Sequence, residues 1–445
     1  MTQRSTEGKK EGKIAANAWM ILGAALIFSV SALLMINLSV PLLLLLAVIY
    51  FRSAYPDSRR QPYNLLNLSL LYLIIVAAGY FIILRGWPVI FIPFSLISIL
   101  SVILFNNINI SVLITLVASV TVASLNHNDF LLGLLFLISG LAGALFTQDV
   151  RRRTVVIKAG FIIGILQALA LIFMKNFSFR DPEIYLIVFL NGVCSAMIAV
   201  WSLPFFEYLF KTVTSISLLE LADFNSPLLQ RLGLEAPGTY HHSLIVGNLS
   251  EAACREVGAN ALLARVGAYY HDIGKLSKPD YFSENQKEDA SRHNSLSPAM
   301  SKLIIMNHVK EGMDLAKKYR LNPAIIEFIQ QHHGSSLVYY FYRRALENQE
   351  MDQQIKEDVF RYPGPKPNSK ETAIVLLADS VEAAARALKD PTLPKIGELV
   401  HKIINNKFID GQLDECELTL KDLERISAVF IHILGAIYHG RVTYP

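Results

Sequence analysis

Charge is scarce in this chain. Of its 445 residues only 18% are Asp, Glu, Lys or Arg, while 53% are hydrophobic. That balance is too apolar for an ordinary soluble protein of this length and implies a membrane part joined to a soluble part. The formal net charge of +4 is small, and much of it belongs to Lys and Arg flanking apolar runs. It gives no reason to expect a nucleic-acid polymer as partner. Cysteine is scarce too: Cys194, Cys254 and Cys416 are scattered and form no CxxC pair. Neither a disulfide framework nor a zinc knuckle is implied, and a reducing compartment suits the soluble half. Histidine is nearly missing from the first 240 residues, which hold only His127. The other ten of the eleven lie at or after position 241, and that enrichment points to a site there.

What fills the first half is apolar sequence. A transmembrane helix needs roughly 20 mostly apolar residues. Eight candidates occur: Ala15–Ile36, Val40–Phe51, Leu65–Leu84, Trp87–Phe105, Ile110–Leu125, Phe130–Phe146, Val155–Met174 and Ile184–Leu203. The first is longer than a signal-peptide core and lacks a small-residue cleavage site, so it reads as a retained span. Basic clusters at Lys9/Lys10/Lys13, Arg52/Arg59/Arg60, Arg151/Arg152/Arg153 and Lys211 fall on one side of an eight-span path. Cytoplasmic loops concentrate Lys and Arg, which predicts both termini inside, with a lipid bilayer as partner. The spans are almost without ionisable residues; Lys158 lies near an end and Glu183 starts the last one. Intramembrane charges mark ion and substrate paths, so an anchor or sensor is favoured over a pump. The expected organisation is a cytoplasmic tail over 1–14, a membrane region over 15–210, a connecting helix over 211–225 and a cytoplasmic domain over 226–445. The connecting stretch reads equally as a passive tether and as a helix passing membrane motions onward.

From Ser226 the pattern is helical, with few strand signals. Helices are predicted over Ser243–Val257, Asn260–His271, Pro298–Tyr319, Asn322–Gln331, Lys370–Leu388 and Leu420–His439, with Tyr362–Pro367 a Pro/Gly-rich loop. The fold class is therefore all-α: a polytopic helical membrane region followed by an all-α cytoplasmic bundle.

His242, His271, Asp272, His308, His332, His333 and Asp379 come from separate helices of that bundle, which can aim such side chains inward to build a dinuclear site. Imidazole and carboxylate without thiolate suit iron, manganese or zinc. Two metals about 3.5–4 Å apart clamp a phosphodiester and generate a nucleophile from water. Lys275 follows Asp272 closely enough for its ammonium to meet a phosphate oxygen. Other histidines read as structural: His127, His401, His432 and His439 as packing residues, and His293, in the polar run 288–294, as solvated. Adjacent helical side chains diverge by about 100°, so only one of His241 and His242 is expected as a ligand. The same holds for His332-His333, except that Gly334 can end the helix and let both point inward. Asp379 shares a stripe with Glu382 and Arg386, so a solvated face competes with the ligand reading.

Pro237–Ser243, Gly267–Lys275, Glu284-Asn285-Gln286, His332-His333-Gly334, Tyr362–Lys366 and Leu377–Ala383 resemble the PgpH-type bacterial membrane proteins, in which a multi-span region carries a cytoplasmic HD-superfamily phosphohydrolase domain. The resemblance implies a di-metal phosphodiesterase, with iron or manganese, that hydrolyses cyclic di-AMP to pApA. It assigns one metal to His242, His271, Asp272 and Asp379, and a second to Asp272, His308, His332 and His333. Homo-oligomer formation stays open. The family's large extracellular domain after the first span is missing here, where only Asn37–Ser39 separates two spans. Two alternatives remain. A cyclic di-GMP phosphodiesterase would carry a Gly-Tyr-Pro motif after its His-His pair, whereas Gly334-Ser335-Ser336-Leu337 follows here. A nucleotide-binding receptor without catalysis is the other, and the filled ligand positions count against it.

Overall fold

The computed structural model describes residues 39–54, 63–177, 181–286, 292–347, 355–389 and 391–438. Among them every regular element is helical, and the one β-bridge, Leu337 to Arg361, is isolated. The chain divides into two compact units, Met1–Ile216 and Ser217–Pro445. The expected first span, Ala15–Ile36, and the tail before it lie outside the described residues, as does His439.

The first unit contains α1 (Ser39–Ala54), α2 (Tyr63–Leu84), α3 (Ser95–Phe105), α4 (Ile108–Leu125), α5 (Phe130–Phe146), α6 (Arg153–Met174) and α7 (Pro182–Phe210). By length and composition, α4, α6, α7 and the Leu65–Leu84 stretch of α2 are long and apolar enough to cross a membrane. Helix α5 is apolar but shorter, at 17 residues, and α1 has 16. The expected span Trp87–Phe105 is not one helix. A 3-10 turn, Val89–Phe91, precedes α3, and the break lies between Pro88 and Pro93, which have no N–H to continue a helical ladder. The carbonyls of Ile90 and Ile92 at this break accept from Nδ2 of Asn191 on α7, at 2.8 and 2.9 Å. Backbone groups at membrane depth need such internal partners, because no water replaces them. Helices α6 and α7 meet at backbone distance: a Cβ on Gly164 would lie 2.3 Å from the Phe189 carbonyl oxygen. Small residues permit this approach between helices in lipid. Helix α7 runs on to Phe210, past the expected end at Leu203, with Pro204 inside it. Large apolar side chains such as Phe161, Leu186 and Trp201 face outward, Trp201 being 85% exposed.

Helix α8 (Ser215–Leu221) occupies part of the expected connecting stretch. The second unit continues with α9 (Pro227–Glu235), α10 (Pro237–Glu256), α11 (Ala261–Tyr270), α12 (Pro298–Lys318), α13 (Pro323–Gln331), α14 (Tyr339–Glu347), α15 (Lys370–Arg386), α16 (Leu393–Ile409) and α17 (Leu420–Tyr438). Proline at the first turn starts five of these: α9, α10, α12, α13 and α16. Its fixed φ suits the helix and its missing N–H is not needed there. Helix α15 forms the centre of the core, with Ile374 to Ala378 all fully buried. Its start is set by a capping box in which the Ser369 side chain accepts from the Thr372 N–H and Thr372 answers. Ile245, Leu249, Phe328, Val400, Ile404 and Phe430 close the core around it.

Candidate metal centre

The ends of helices place the polar side chains. Asn260 caps α11 by accepting from the Leu263 N–H at 3.1 Å. That helix ends at Tyr270, and His271 and Asp272 stand at its C-terminus before the chain tightens into a 3-10 turn, Ile273–Ser277. Gly274 in this turn lies against α12 so closely that a Cβ would meet the His308 carbonyl oxygen at 1.8 Å. This contact brings His308 to Asp272. Helix α13 ends at Gln331; His332 caps it and Gly334 turns the chain with a φ of +53°. Helix α15 carries Asp379 and Glu382 one turn apart.

All seven side chains expected as ligands come together in two groups that share Asp272. His242, His271, Asp272 and Asp379 form one; Asp272, His308, His332 and His333 form the other, with donor atoms in each group within 4.8 Å of one another. Oδ2 of Asp272 lies 3.2 Å from His271 Nε2 and 3.7 Å from His242 Nε2. Oδ1 lies 3.3 Å from His308 Nε2 and 3.6 Å from His332 Nε2. Asp379 Oδ1 sits 3.0 Å from His242 Nε2, and its Oδ2 sits 3.5 Å from His333 Nδ1. Both members of the His332-His333 pair therefore face the centre, His332 through Nε2 and His333 through Nδ1.

The opposite ring nitrogens are anchored. Nδ1 donates to the Ala268 carbonyl from His271 at 2.6 Å, to the Ile305 carbonyl from His308 at 2.5 Å, and to the Ile329 carbonyl from His332 at 2.9 Å. His242 Nδ1 donates to the Glu382 carboxylate. Each bond fixes a tautomer that leaves Nε2 as a lone-pair donor toward the centre, the outer support that metal-binding histidines need. His271 Nε2 and Asp272 Oδ1 are buried without a hydrogen-bond partner. Unpartnered buried polar atoms are rare and call for an explanation. A divalent cation between the donor sets answers it, and the donor types fit one.

The electrostatics agree. Burial alone would raise the carboxyls, yet the Lys275 ammonium and His271 hold Asp272 well below the usual carboxylate range. Asp379 is held there against burial by the hydrogen bond from His242 and the imidazoles around it. Burial pushes His332 and His333 down, so both stay neutral donors. Burial opposes the charged form of His271 as well, but Asp272 and Asp379 overcome it and lift that imidazole to about 10, so a bound cation would have to displace its Nε2 proton. Lys275 Nζ lies 2.7 Å from both Asp272 Oδ2 and Glu284 Oε1. Burial opposes its charge, and those two carboxylates raise it well above the ordinary lysine value.

Three residues at the site were not read as part of it. Glu382, placed by its pattern on a rival solvated stripe, is fully buried, bonded to His242 and paired with Arg386 at 2.7 Å. Its spacing of three from Asp379 was the available signal. Glu284 pairs with Lys275 and also accepts from Thr239 Oγ1 at 3.0 Å. The Tyr362 ring lies 4.3 Å from that of His333. His293 corrects an expectation: it is buried, not solvated. Its Nε2 donates to the Tyr281 carbonyl at 2.8 Å and its ring packs on Tyr281 and Phe341, because the 3-10 turn holding it folds inward. His241, His401 and His432 are exposed and outside the cluster, as is His127.

This fold and site define a class, an HD hydrolase domain joined to a membrane region. Residues 239–384 match the HD domain, and residues 20–214 match the 7TM receptor with intracellular HD hydrolase. The chain belongs to the PgpH-type family, in which these two parts occur together. The cyclic-di-AMP phosphodiesterase PgpH of Bacillus subtilis (strain 168) is 42% identical over 323 residues, which are 71% of this chain and 45% of that protein. The protein of the same name from Listeria monocytogenes serotype 1/2a (strain 10403S) is 40% identical over 315 residues, 69% of this chain and 44% of the relative. The crystal structure of the L. monocytogenes PgpH HD domain in complex with cyclic-di-AMP is 45% identical, covers 48% of this chain and 100% of that one, and superposes with a TM-score of 0.47. The chain spans just under half the length of the relatives it matches.

Proposed function

We propose that this protein is a membrane-anchored phosphodiesterase that adds water across one P–O3′ bond of cyclic di-AMP and releases pApA, lowering the level of a second messenger. The observation that carries the reading is Asp272, whose two oxygens face two separate imidazole groups, as a bridging ligand requires. His242, His271, Asp272 and Asp379 would hold one cation, and Asp272, His308, His332 and His333 another. Two such ions, iron or manganese, would supply a water of lowered pKa and neutralise the phosphate. His332 and His333, kept neutral by burial, offer lone pairs without a proton to displace. Lys275 keeps a fixed positive charge beside Asp272, with one N–H left to meet a phosphate oxygen as negative charge builds on it. Glu284 holds that ammonium in place.

The membrane reading is that eight spans over 15–210 place both termini and the domain over 226–445 in the bacterial cytoplasm, through a connecting segment at 211–225. The basic loop clusters support it. A reporter fused after Asn37 is expected outside; a cytoplasmic signal there overturns this topology.

For the activity, the full chain in detergent with Mn²⁺ or Fe²⁺ is expected to convert cyclic di-AMP to pApA. Cleavage of cyclic di-GMP with cyclic di-AMP left intact would replace the substrate, and tight binding of either nucleotide with no cleavage would make the protein a receptor.

A further inference from the structure

Lys407 lies on α16, beyond the end of the HD match at residue 384, yet it reaches the wall of the metal centre. Its Nζ donates to Ser336 Oγ at 2.7 Å. Ser336 in turn is tied to the site twice: its N–H donates to the His333 carbonyl at 3.0 Å and its carbonyl accepts from the Tyr362 N–H at 3.0 Å. Tyr362 lies against the His333 ring.

The neighbouring acid does not neutralise this lysine. Asp410 is taken by the Arg361 guanidinium, with one N–H on each oxygen at 2.8 and 3.1 Å, and by Gln412 Nε2 at 2.8 Å. Among the described residues no carboxylate stands within ion-pair distance of Lys407. Lys275, the other lysine of the site, has two at 2.7 Å. A half-buried ammonium with one neutral partner is costly unless an anion joins it. Burial in fact pulls Lys407 below the ordinary lysine value, with Asp379 foremost among the charges that oppose the pull. Through Ser336, whose N–H bonds the His333 carbonyl, the ammonium is held on the His333 side of the metal centre.

We propose that Lys407 is a substrate-binding residue that anchors a non-bridging phosphate oxygen of the bound cyclic dinucleotide, with Ser336 aiming its ammonium. The inference rests on the phosphodiesterase reading above. It assigns the division of labour between two lysines: Lys275, already neutralised, orients within the site, while Lys407 carries the charge that binds the substrate anion.

The test uses the full chain with Lys407→Met, Lys407→Gln and Lys407→Arg. The two neutral variants are expected to raise KM for cyclic di-AMP and to weaken equilibrium binding of pApA by roughly ten- to hundredfold, the size of a charge-assisted hydrogen bond. Metal content stays at the wild-type value, kcat changes little, and Lys407→Arg restores most of the affinity. Unchanged KM and pApA affinity in both neutral variants overturn the proposal, and so does loss of bound metal or of the folded state in both, which would make Lys407 structural. If wild type fails to cleave cyclic di-AMP, the phosphodiesterase reading falls. In that case pApA and inorganic phosphate binding to the wild type and the neutral variants still decide the role of Lys407 as an anion anchor.

Discussion

Glu382 accepts the Nδ1 proton of His242, one helical turn beyond Asp379, which faces Nε2 of the same ring at 3.0 Å. One helix therefore supplies both an expected metal ligand and the group that orients its neighbour. Outer partners of this kind typically contribute 10–100-fold in metal affinity. Glu382→Gln is expected to weaken Mn²⁺ binding by about that factor while leaving the domain folded, because Gln keeps the volume. Titration calorimetry checks it, and an unchanged affinity would mean that the contact only packs.

Gly274 admits no side chain. Its Cβ would stand 1.8 Å from the His308 carbonyl oxygen and 2.5 Å from the Gly312 nitrogen, both backbone. Gly274→Ala is expected to push α12 away and cost about 1–3 kcal/mol or more. Thermal melting and metal content read the two consequences together. A variant with wild-type melting and full metal would show that the two segments separate without strain.

Chelation should lower stability, since ions bound only by the folded domain stabilise it by mass action. At a metal concentration a thousandfold above Kd the effect is about 4 kcal/mol per site. Stripping the protein with EDTA is expected to shift Tm down by on the order of ten degrees, and Mn²⁺ to restore it. A Tm indifferent to EDTA would argue that nothing divalent holds the seven side chains.

In the membrane unit, Asn191→Leu leaves the Ile90 and Ile92 carbonyls without their side-chain donor. Ile92 keeps the Phe94 N–H at 2.7 Å, so the loss falls on Ile90, and one unsatisfied group costs about 1–3 kcal/mol. A drop in thermal stability of the full chain in detergent is the expected result, and Asn191→Ser, which keeps a hydroxyl donor, should lose less than Asn191→Leu. Equal stability of the wild type and the Leu variant would mean the break is satisfied by other means.

The legible parts of this protein were those written in local chemistry. The predicted starts at Asn260, Pro298, Asn322, Lys370 and Leu420 lie within a residue of the observed ones, whereas α10 begins at Pro237, six residues before the predicted Ser243. The gathering of histidine after position 241 marked where to look. The break at Pro88 and Pro93 was equally local, but the apolar run over Trp87–Phe105 masked it. Helix α16 has a readable stripe in Ile396, Val400 and Ile404 at a spacing of four, all buried. Gly397, Asn405 and Asn406 dilute it, and the helix was not assigned. Glu382 and His293 failed for a different reason. Polarity read along the chain predicts solvent, whereas His242 in one case, and Tyr281 and Phe341 in the other, arrive from elsewhere in the fold to bury them. Only tertiary structure supplies those partners.

In the proposed function Asp272 would join two cation sites that serve cleavage of a cyclic dinucleotide. The most direct measurement pairs metal content with product formation for the wild type and Asp272→Ala, using the full chain and cyclic di-AMP with Mn²⁺. The wild type is expected to hold about two metal equivalents and to release pApA, and the variant to lose both metal and product. A wild type that binds two equivalents but leaves cyclic di-AMP intact, or an Asp272→Ala variant that still yields pApA, would contradict it.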